Sequence, residues 1–393
     1  IWKNGTTQEL SDGTTDAGIW SIFVSGTDVY AGGYVKNDSG KAVATIWKNG
    51  TAQSLSDGTT VANVNSVFVS GSDVYAGGIT MNDSGIRVAT IWKNGTAQSL
   101  SDGTTHAKIY SVFVSGQDVY AGGYVTNASG KDVATLWKNG TAKALSDGTN
   151  GACVNSVFVL GANVYAGGYV YNASGKAIAT VWKNGSAQAL SDGTKSAVIY
   201  SVFVSGTDVY AGGITMNDSG KWVATIWKYN TEQKLLDETT DASVKSVFVS
   251  GTDIYAGGYV TNASGKKVAT LWKNGTPQAL SDGTTHAGIF SVSVSGQDVY
   301  AGGYVRNASG KMVATLWKNG SAQALSDRNT HAEILSFSVS GTDVYAGGYV
   351  TNASRKDVAT LWKNGAAQSL SDGKTDATIW SVCVSGKDVY AGG

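Results

Sequence analysis

Nine tryptophans, Trp2, Trp47, Trp92, Trp137, Trp182, Trp227, Trp272, Trp317 and Trp362, recur at one spacing of 45 residues with no insertion or deletion between them. A period of this length marks a chain built from one supersecondary unit used repeatedly, each copy burying its apolar face against the next. It displaces the two or three ordinary domains that 393 residues would otherwise suggest. The copies share the consensus I-W-K-N-G-T-A-Q-S-L-S-D-G-T-T-x-A-x-I-x-S-V-F-V-S-G-T-D-V-Y-A-G-G-Y-V-x-N-A-S-G-K-x-V-A-T.

Each unit reads as four strands, for example Ile19 to Ser25, Asp28 to Val35, Ala42 to Lys48 and Thr51 to Leu55, rich in β-branched and aromatic residues and bounded by turn residues. Abundant glycine, 52 residues against a single proline, agrees with strands joined by tight turns. Ser25-Gly26-Thr27-Asp28 and Asn49-Gly50 carry the signals of two-residue hairpin turns. The inner strands are apolar on both faces, as in Ser66-Val67-Phe68-Val69, which predicts blades sandwiched between neighbours. The glycine pair in Ala31-Gly32-Gly33 leaves room for close approach, and a neighbouring tryptophan is expected there. The sixth copy reads Lys228-Tyr229-Asn230 and Leu236-Asp237-Glu238, which predicts a distorted outer hairpin.

An open array would need atypical polar caps, and neither end provides one. The chain starts inside a third strand at Ile1-Trp2-Lys3 and stops in a second strand at Val389-Tyr390-Ala391-Gly392-Gly393. The expected fold is therefore all-β: one nine-bladed β-propeller domain over residues 1–393, with four antiparallel strands per blade. Its closing blade would take about residues 376–393 plus 1–10, pairing N- and C-terminal strands and leaving no sheet edge.

The strings D-V-Y-A-G-G-Y-V, A-T-x-W-K-N-G and L-S-D-G-T resemble a repeat of bacterial envelope or secreted proteins that carry no assigned activity, over the whole chain. The resemblance implies a propeller and a secreted or cell-envelope location. Val-Tyr-Ala-Gly-Gly is also similar to the diglycine strand of kelch repeats, although the aromatic pair is placed differently.

Lysine plus arginine equals aspartate plus glutamate at 29 each, so no basic field is present to attract nucleic acid. No apolar run reaches the length of a membrane span, and the complementary ends predict a self-contained monomer. Cys153 and Cys383 occupy different repeat positions and are not expected to pair.

Residues that recur in every copy, such as Asp57 of Ser-Asp-Gly, or in most copies, such as Asn127 of Asn-Ala-Ser-Gly-Lys, read as turn formers. Chemistry needs unlike groups that converge once. Variation concentrates at repeat positions 16, 18, 20, 36 and 42, which predicts a functional face at the mouth of the channel. His106, His286 and His331, the three histidines, all stand at position 16, as do Asp16, Asp241 and Asp376. His286, His331, Asp376 and Asp16, with Glu333, form a candidate set for a divalent metal. Position 16 also accepts Val61, Gly151 and Ser196, as an exposed polar site would. Position 20 carries Trp20, Tyr110, Tyr200, Phe290 and Trp380, and with Asn65 these residues are candidates to stack on and hydrogen-bond a ligand.

The expected function is a non-catalytic scaffold that binds a protein or a glycan through this face, with no catalytic residue assigned and no cofactor beyond the candidate metal. The alternatives are a metal-dependent lyase or hydrolase and a purely structural repeat protein.

Overall fold

The computed structural model describes residues 2–3, 6–7, 16–26, 28–205, 208–218, 220, 222–228, 231–234, 242–251, 253–385 and 388–392. Among them there is no helix, and the strands form nine four-stranded antiparallel sheets, which fit a nine-bladed propeller. The chain divides into two compact units, one of Ile1–Gln8, Asn217–Ala224 and Lys234–Gly393, the other of Glu9–Met216 and Thr225–Gln233. The altered hairpin expected around Tyr229-Asn230 and Leu236-Asp237-Glu238 lies outside the described residues.

One sheet of the unit that holds Glu9–Met216 shows the pattern. Its strands run Ala62–Ser70, Asp73–Met81, Arg87–Lys93 and Thr96–Ser99, each paired with the next. Gly71 takes φ 61° in the first turn, and Asn94 and Gly95 take φ 49° and 87° in the last. Positive φ at both central residues of Asn94-Gly95 is the mirror-type turn that matches strand twist. The side chain of Asn94 reinforces it, accepting from Val74 N at 2.8 Å and donating to Asp73 at 2.8 Å. At the other end of the sheet Asn82 Oδ1 accepts the Ser84 and Ile86 amides, and its Nδ2 donates to Gly103 O. Asp102 Oδ1 accepts both Thr104 N and Thr104 Oγ1. The repeated polar motifs thus fold the loops.

The register of the first two strands shifts between Val64 and Ser66, and at the matching place in every sheet whose pairing is described that far. The residue at repeat position 20, here Asn65, is the extra residue of a β-bulge. A bulge brings the two backbones close and re-aims its side chain.

That bulge explains half of the glycine pair and corrects the expectation of a tryptophan beside it. A Cβ on Gly78 would overlap the Asn63 carbonyl at the bulge, and one on Gly77 would overlap Val112 and Ile109 of the next sheet. Valine and isoleucine of the neighbouring inner strand fill the gap. The tryptophan sits further out, where Trp92, fully buried, donates its indole N–H to Leu55 O at 2.9 Å. Trp137, Trp182 and Trp317 repeat the contact to Leu100, Leu145 and Leu280. Burial of an indole of this size is worth roughly 4–6 kcal/mol before the entropy of ordering it. Inner strands are also laced together, since Ser21 Oγ accepts Val67 N at 3.0 Å and Ser66 Oγ accepts Val112 N at 3.0 Å. Phe23, Phe68, Phe113, Phe158 and Phe203 form a ladder of rings at centroid spacings of 4.8 to 5.3 Å.

In the other unit, one sheet has the order Thr6–Thr7, Trp2–Lys3, Asp388–Gly392, Ser381–Ser385. Trp2 pairs with Ala391 and Lys3 with Tyr390, so this sheet takes two strands from each end of the chain.

Candidate functional site

Repeat positions 16, 18, 20, 34, 36 and 42 gather at one end of each sheet, because the first strand begins, the second ends and the third begins there. In the third copy Lys108 stands opposite Tyr124, Thr126 opposite Asp132, and Thr126 N donates to His106 O at 2.7 Å. Sequence variation is concentrated on this end.

Position 16 proves to be a cap. His106 Nδ1 accepts Arg87 N at 3.1 Å, His286 Nδ1 accepts Lys267 N at 3.1 Å, and His331 Nδ1 accepts Met312 N at 3.2 Å. Asp376 Oδ1 accepts Asp357 N at 2.9 Å and Ser196 Oγ accepts Ala177 N at 3.3 Å. Each satisfies the first amide of a third strand, which otherwise has no partner in the sheet. A histidine that accepts at Nδ1 carries its proton on Nε2 when neutral, and burial together with nearby lysines and Arg306 pushes His286 and His331 below the ordinary imidazole value.

Among the described residues no group of three or more His, Cys, Asp or Glu side chains is placed to hold an ion. Of the metal candidates His286, His331, Glu333, Asp376 and Asp16, Asp16 pairs with Lys36 at 2.7 Å and Asp376 with Lys356 at 3.1 Å. Asp241 lies outside the described residues.

Position 20, the bulge residue, divides by side-chain type. Trp20 and Trp380 are 64% and 68% exposed, and Tyr200 is exposed as well. Trp20 stacks beside Tyr34 at 6.3 Å, Tyr110 beside Tyr124 at 6.2 Å, and Phe290 beside Tyr304 at 5.8 Å. Asn65 is engaged across the blades. Its Nδ2 donates to Ile109 O of the next sheet at 2.8 Å, as Asn155 does to Ile199 O.

The densest chemistry surrounds Glu333, on the strand Ala332–Ser340. Glu333 pairs directly with Tyr349, whose hydroxyl hydrogen-bonds the carboxyl. Burial raises the Glu333 carboxyl above its ordinary value; the Tyr349 bond acts against this, Asp357 adds to it and Arg306 opposes it. Arg306 ends the strand Asp298–Arg306 opposite Met312, whose amide holds His331. Thr351 N donates to His331 O, and Thr351 Oγ1 donates to Asp357 Oδ1 at 2.8 Å. Arg306 Nε is buried with no hydrogen-bond partner. Glu333, Arg306, His331, Tyr349 and Asp357 are therefore linked through strands of two consecutive sheets. Sequence reasoning selected Glu333 and His331 but missed Arg306, Asp357 and Tyr349. The available signal was charge at the variable positions 36 and 42.

A separate cavity of about 200 Å³, lined by Tyr75, Ile91, Gln98, Val119 and Trp137 among others, opens between two sheets. Its walls are repeat residues found in nearly every copy, which makes it a feature of blade packing.

No family model matches the chain, and no curated protein matches it. Among solved structures, it is similar to a puromycin-hydrolyzing peptidase of Mycobacterium tuberculosis, with 10% identity, a TM-score of 0.46, and coverage of 86% of this chain and 58% of that one. It is also similar to the β-propeller domain of the Trilobed protease from Pyrococcus furiosus, with 12% identity, a TM-score of 0.42, and coverage of 91% and 99%. For an acylaminoacyl peptidase of Pyrococcus horikoshii the figures are 13% identity, a TM-score of 0.38, and coverage of 79% and 53%. The chain spans between half and three-fifths of the length of the two whole peptidases. The structures matched are peptidases or a protease's propeller domain, which stands against the expectation of a non-catalytic scaffold that binds a protein or glycan; at these identities the likeness is one of fold.

Proposed function

We propose that the chain is a hydrolase in which Glu333 moves the proton and Arg306 meets the developing negative charge. One observation carries this reading: a carboxyl raised by burial shares a half-buried patch with a guanidinium whose buried N–H is unspent.

Hydrolysis of an amide or ester needs a group that takes a proton from water and returns it to the leaving atom, and a donor for the oxyanion. The raised Glu333 carboxyl is suited to the first task, because it gains and loses its proton nearer to neutral pH than a free glutamate does. The Tyr349 hydroxyl orients it and supports its charged form. As water attacks the carbonyl carbon, its proton passes to Glu333. As the bond to the leaving nitrogen or oxygen breaks, Glu333 returns that proton to the leaving atom. The positive charge of the Arg306 guanidinium stabilises the carbonyl oxygen while it is charged. Thr351 holds Asp357, and Met312 holds His331, so the walls of the site are fixed before substrate arrives. No step requires a metal.

The test is hydrolysis of chromogenic peptide amides and esters by the purified chain across a pH series. Glu333→Gln is expected to lower kcat by about a hundredfold or more with a thermal melt no lower than the parent's, and Arg306→Met to lower kcat as well. Lack of hydrolysis by the parent chain, or equal rates in folded Glu333→Gln, would sink the reading.

A further inference from the structure

The third copy carries the same frame as the eighth with the charge reversed. His106, Lys108, Tyr124, Thr126 and Asp132 stand where the eighth copy has His331, Glu333, Tyr349, Thr351 and Asp357. The contacts are repeated too, since Thr126 N donates to His106 O and Thr126 Oγ1 donates to Asp132 Oδ1 at 2.8 Å. Lysine replaces glutamate at repeat position 18.

Lys108 is half-buried on the strand Ala107–Ser115, with its Nζ 4.4 Å from the centre of the Tyr110 ring. Arg87, at the start of the strand Arg87–Lys93 in the preceding sheet, is held through its amide by His106, and its guanidinium reaches the Tyr124 hydroxyl. Two cations therefore converge on one tyrosine-lined patch. Among the described residues neither forms an ion pair, and the nearby carboxylate of Asp132 is taken up by Thr126. The third-strand lysines behave differently: Lys48, Lys93 and Lys138 each pair with an aspartate at 2.7 to 2.9 Å.

A half-buried ammonium beside a guanidinium, with no counter-ion, is costly in itself, and an anion between them removes the cost while gaining charge-assisted hydrogen bonds. Burial first, and Arg87 second, make Lys108 easier to deprotonate, which is the response of a cation that lacks a negative partner. The rings of Tyr110 and Tyr124 exclude water on one side and leave the Tyr110 edge open, and Tyr124 adds a hydroxyl.

We propose that Lys108 and Arg87, with Tyr124, form a binding site for a small oxyanion, the carboxylate or phosphate group of a ligand. The site does not depend on hydrolysis at Glu333. Its two cations can grip both oxygens of a carboxylate or two oxygens of a phosphate, while Tyr110 lies flat against whatever the group is attached to.

The experiment is calorimetric titration of the full chain with succinate and, separately, with inorganic phosphate at low ionic strength. Saturable binding of either at one site per chain is expected, and the arm that binds more tightly identifies the preferred group. Lys108→Met and Arg87→Gln are each expected to weaken it about tenfold or more, with unchanged thermal melts, while Glu333→Gln leaves it intact. Two variants guard against one that fails to fold. Failure of the parent chain to bind either anion, or unchanged affinity in whichever variant folds, overturns the proposal. Loss of binding in Glu333→Gln as well would also overturn it, since the site would then not be separate.

Discussion

Trp92 donates its indole N–H to the carbonyl of Leu55 at 2.9 Å, from a fully buried position, and so ties the third strand of one sheet to the loop that leaves the sheet before it. Trp92→Phe keeps most of the apolar contact but leaves the buried Leu55 carbonyl unmatched. A loss of about 1–3 kcal/mol is expected. Trp92→Ala adds a cavity and should lose about 3–5 kcal/mol. Urea unfolding measures both, and equal stability of Trp92→Phe and the parent would show that the hydrogen bond contributes nothing.

The glycine pair separates two causes of close approach. A Cβ on Gly32 would overlap the Val64 and Val67 side chains, whereas one on Gly33 would overlap the Gly18 carbonyl at the bulge. Gly32→Ala should therefore cost roughly 1–3 kcal/mol and recover in part in the double variant with Val67→Ala, which removes one of the two overlaps. Gly33→Ala should cost more and gain nothing from Val67→Ala, because backbone cannot be trimmed. Recovery of both by Val67→Ala, read from denaturation midpoints, would refute the assignment.

Much of this was legible in the sequence because one physical requirement was written nine times. The 45-residue period, the Asn-Gly turns and the strand limits near Asp28 and Lys48 needed only local chemistry, and the structure agrees with them. The bulge at position 20 was not legible, since Trp20, Asn65 and Lys245 share no property that announces an unpaired residue. That omission put a tryptophan where Val64 and Val67 belong, and it made Asn65 look free although it bonds Ile109. The role of position 16 was not legible either: His106, His286 and His331 each accept the first amide of a third strand, which any acceptor can do. Arg306 and Asp357 are 51 residues apart in the chain, and only the pairing of adjacent strands places both near Glu333.

Arg355 holds φ at 62°, at the repeat position where Gly310, Gly265 and Gly130 hold 81°, 72° and 73°. The left-handed region costs an ordinary side chain roughly 1–2 kcal/mol, partly offset because glycine loses more freedom on folding. Arg355→Gly is expected to stabilise the chain by about 0.5–1 kcal/mol, visible as a higher melting temperature. An unchanged or lower melting temperature would mean that the side chain makes a compensating contact.

Acid should weaken the fold through its turns. Hydrogen bonds from Lys93 and Asn94 hold Asp73 below the ordinary 3.8, and those from Lys138 and Asn139 do the same for Asp118. The Thr59 amide and hydroxyl act likewise on Asp57. A carboxyl depressed in the folded state contributes stability that is complete above its unfolded value and is lost as the pH falls through 3.8 toward the folded one. Glu333 has the opposite sign. Its folded value is raised above 4.5, so its contribution is present below 4.5 and disappears as the pH rises through the folded value. The many aspartates outweigh one glutamate, and urea midpoints are expected to drop between pH 6 and pH 3. Asp73→Asn combined with Asp118→Asn should start lower at pH 6 and fall less over that interval. Glu333→Gln should leave the fall below pH 4 intact and raise the midpoint above pH 6 relative to the parent. A double aspartate variant that loses as much between pH 6 and pH 3 as the parent would place the acid sensitivity elsewhere than in these turns.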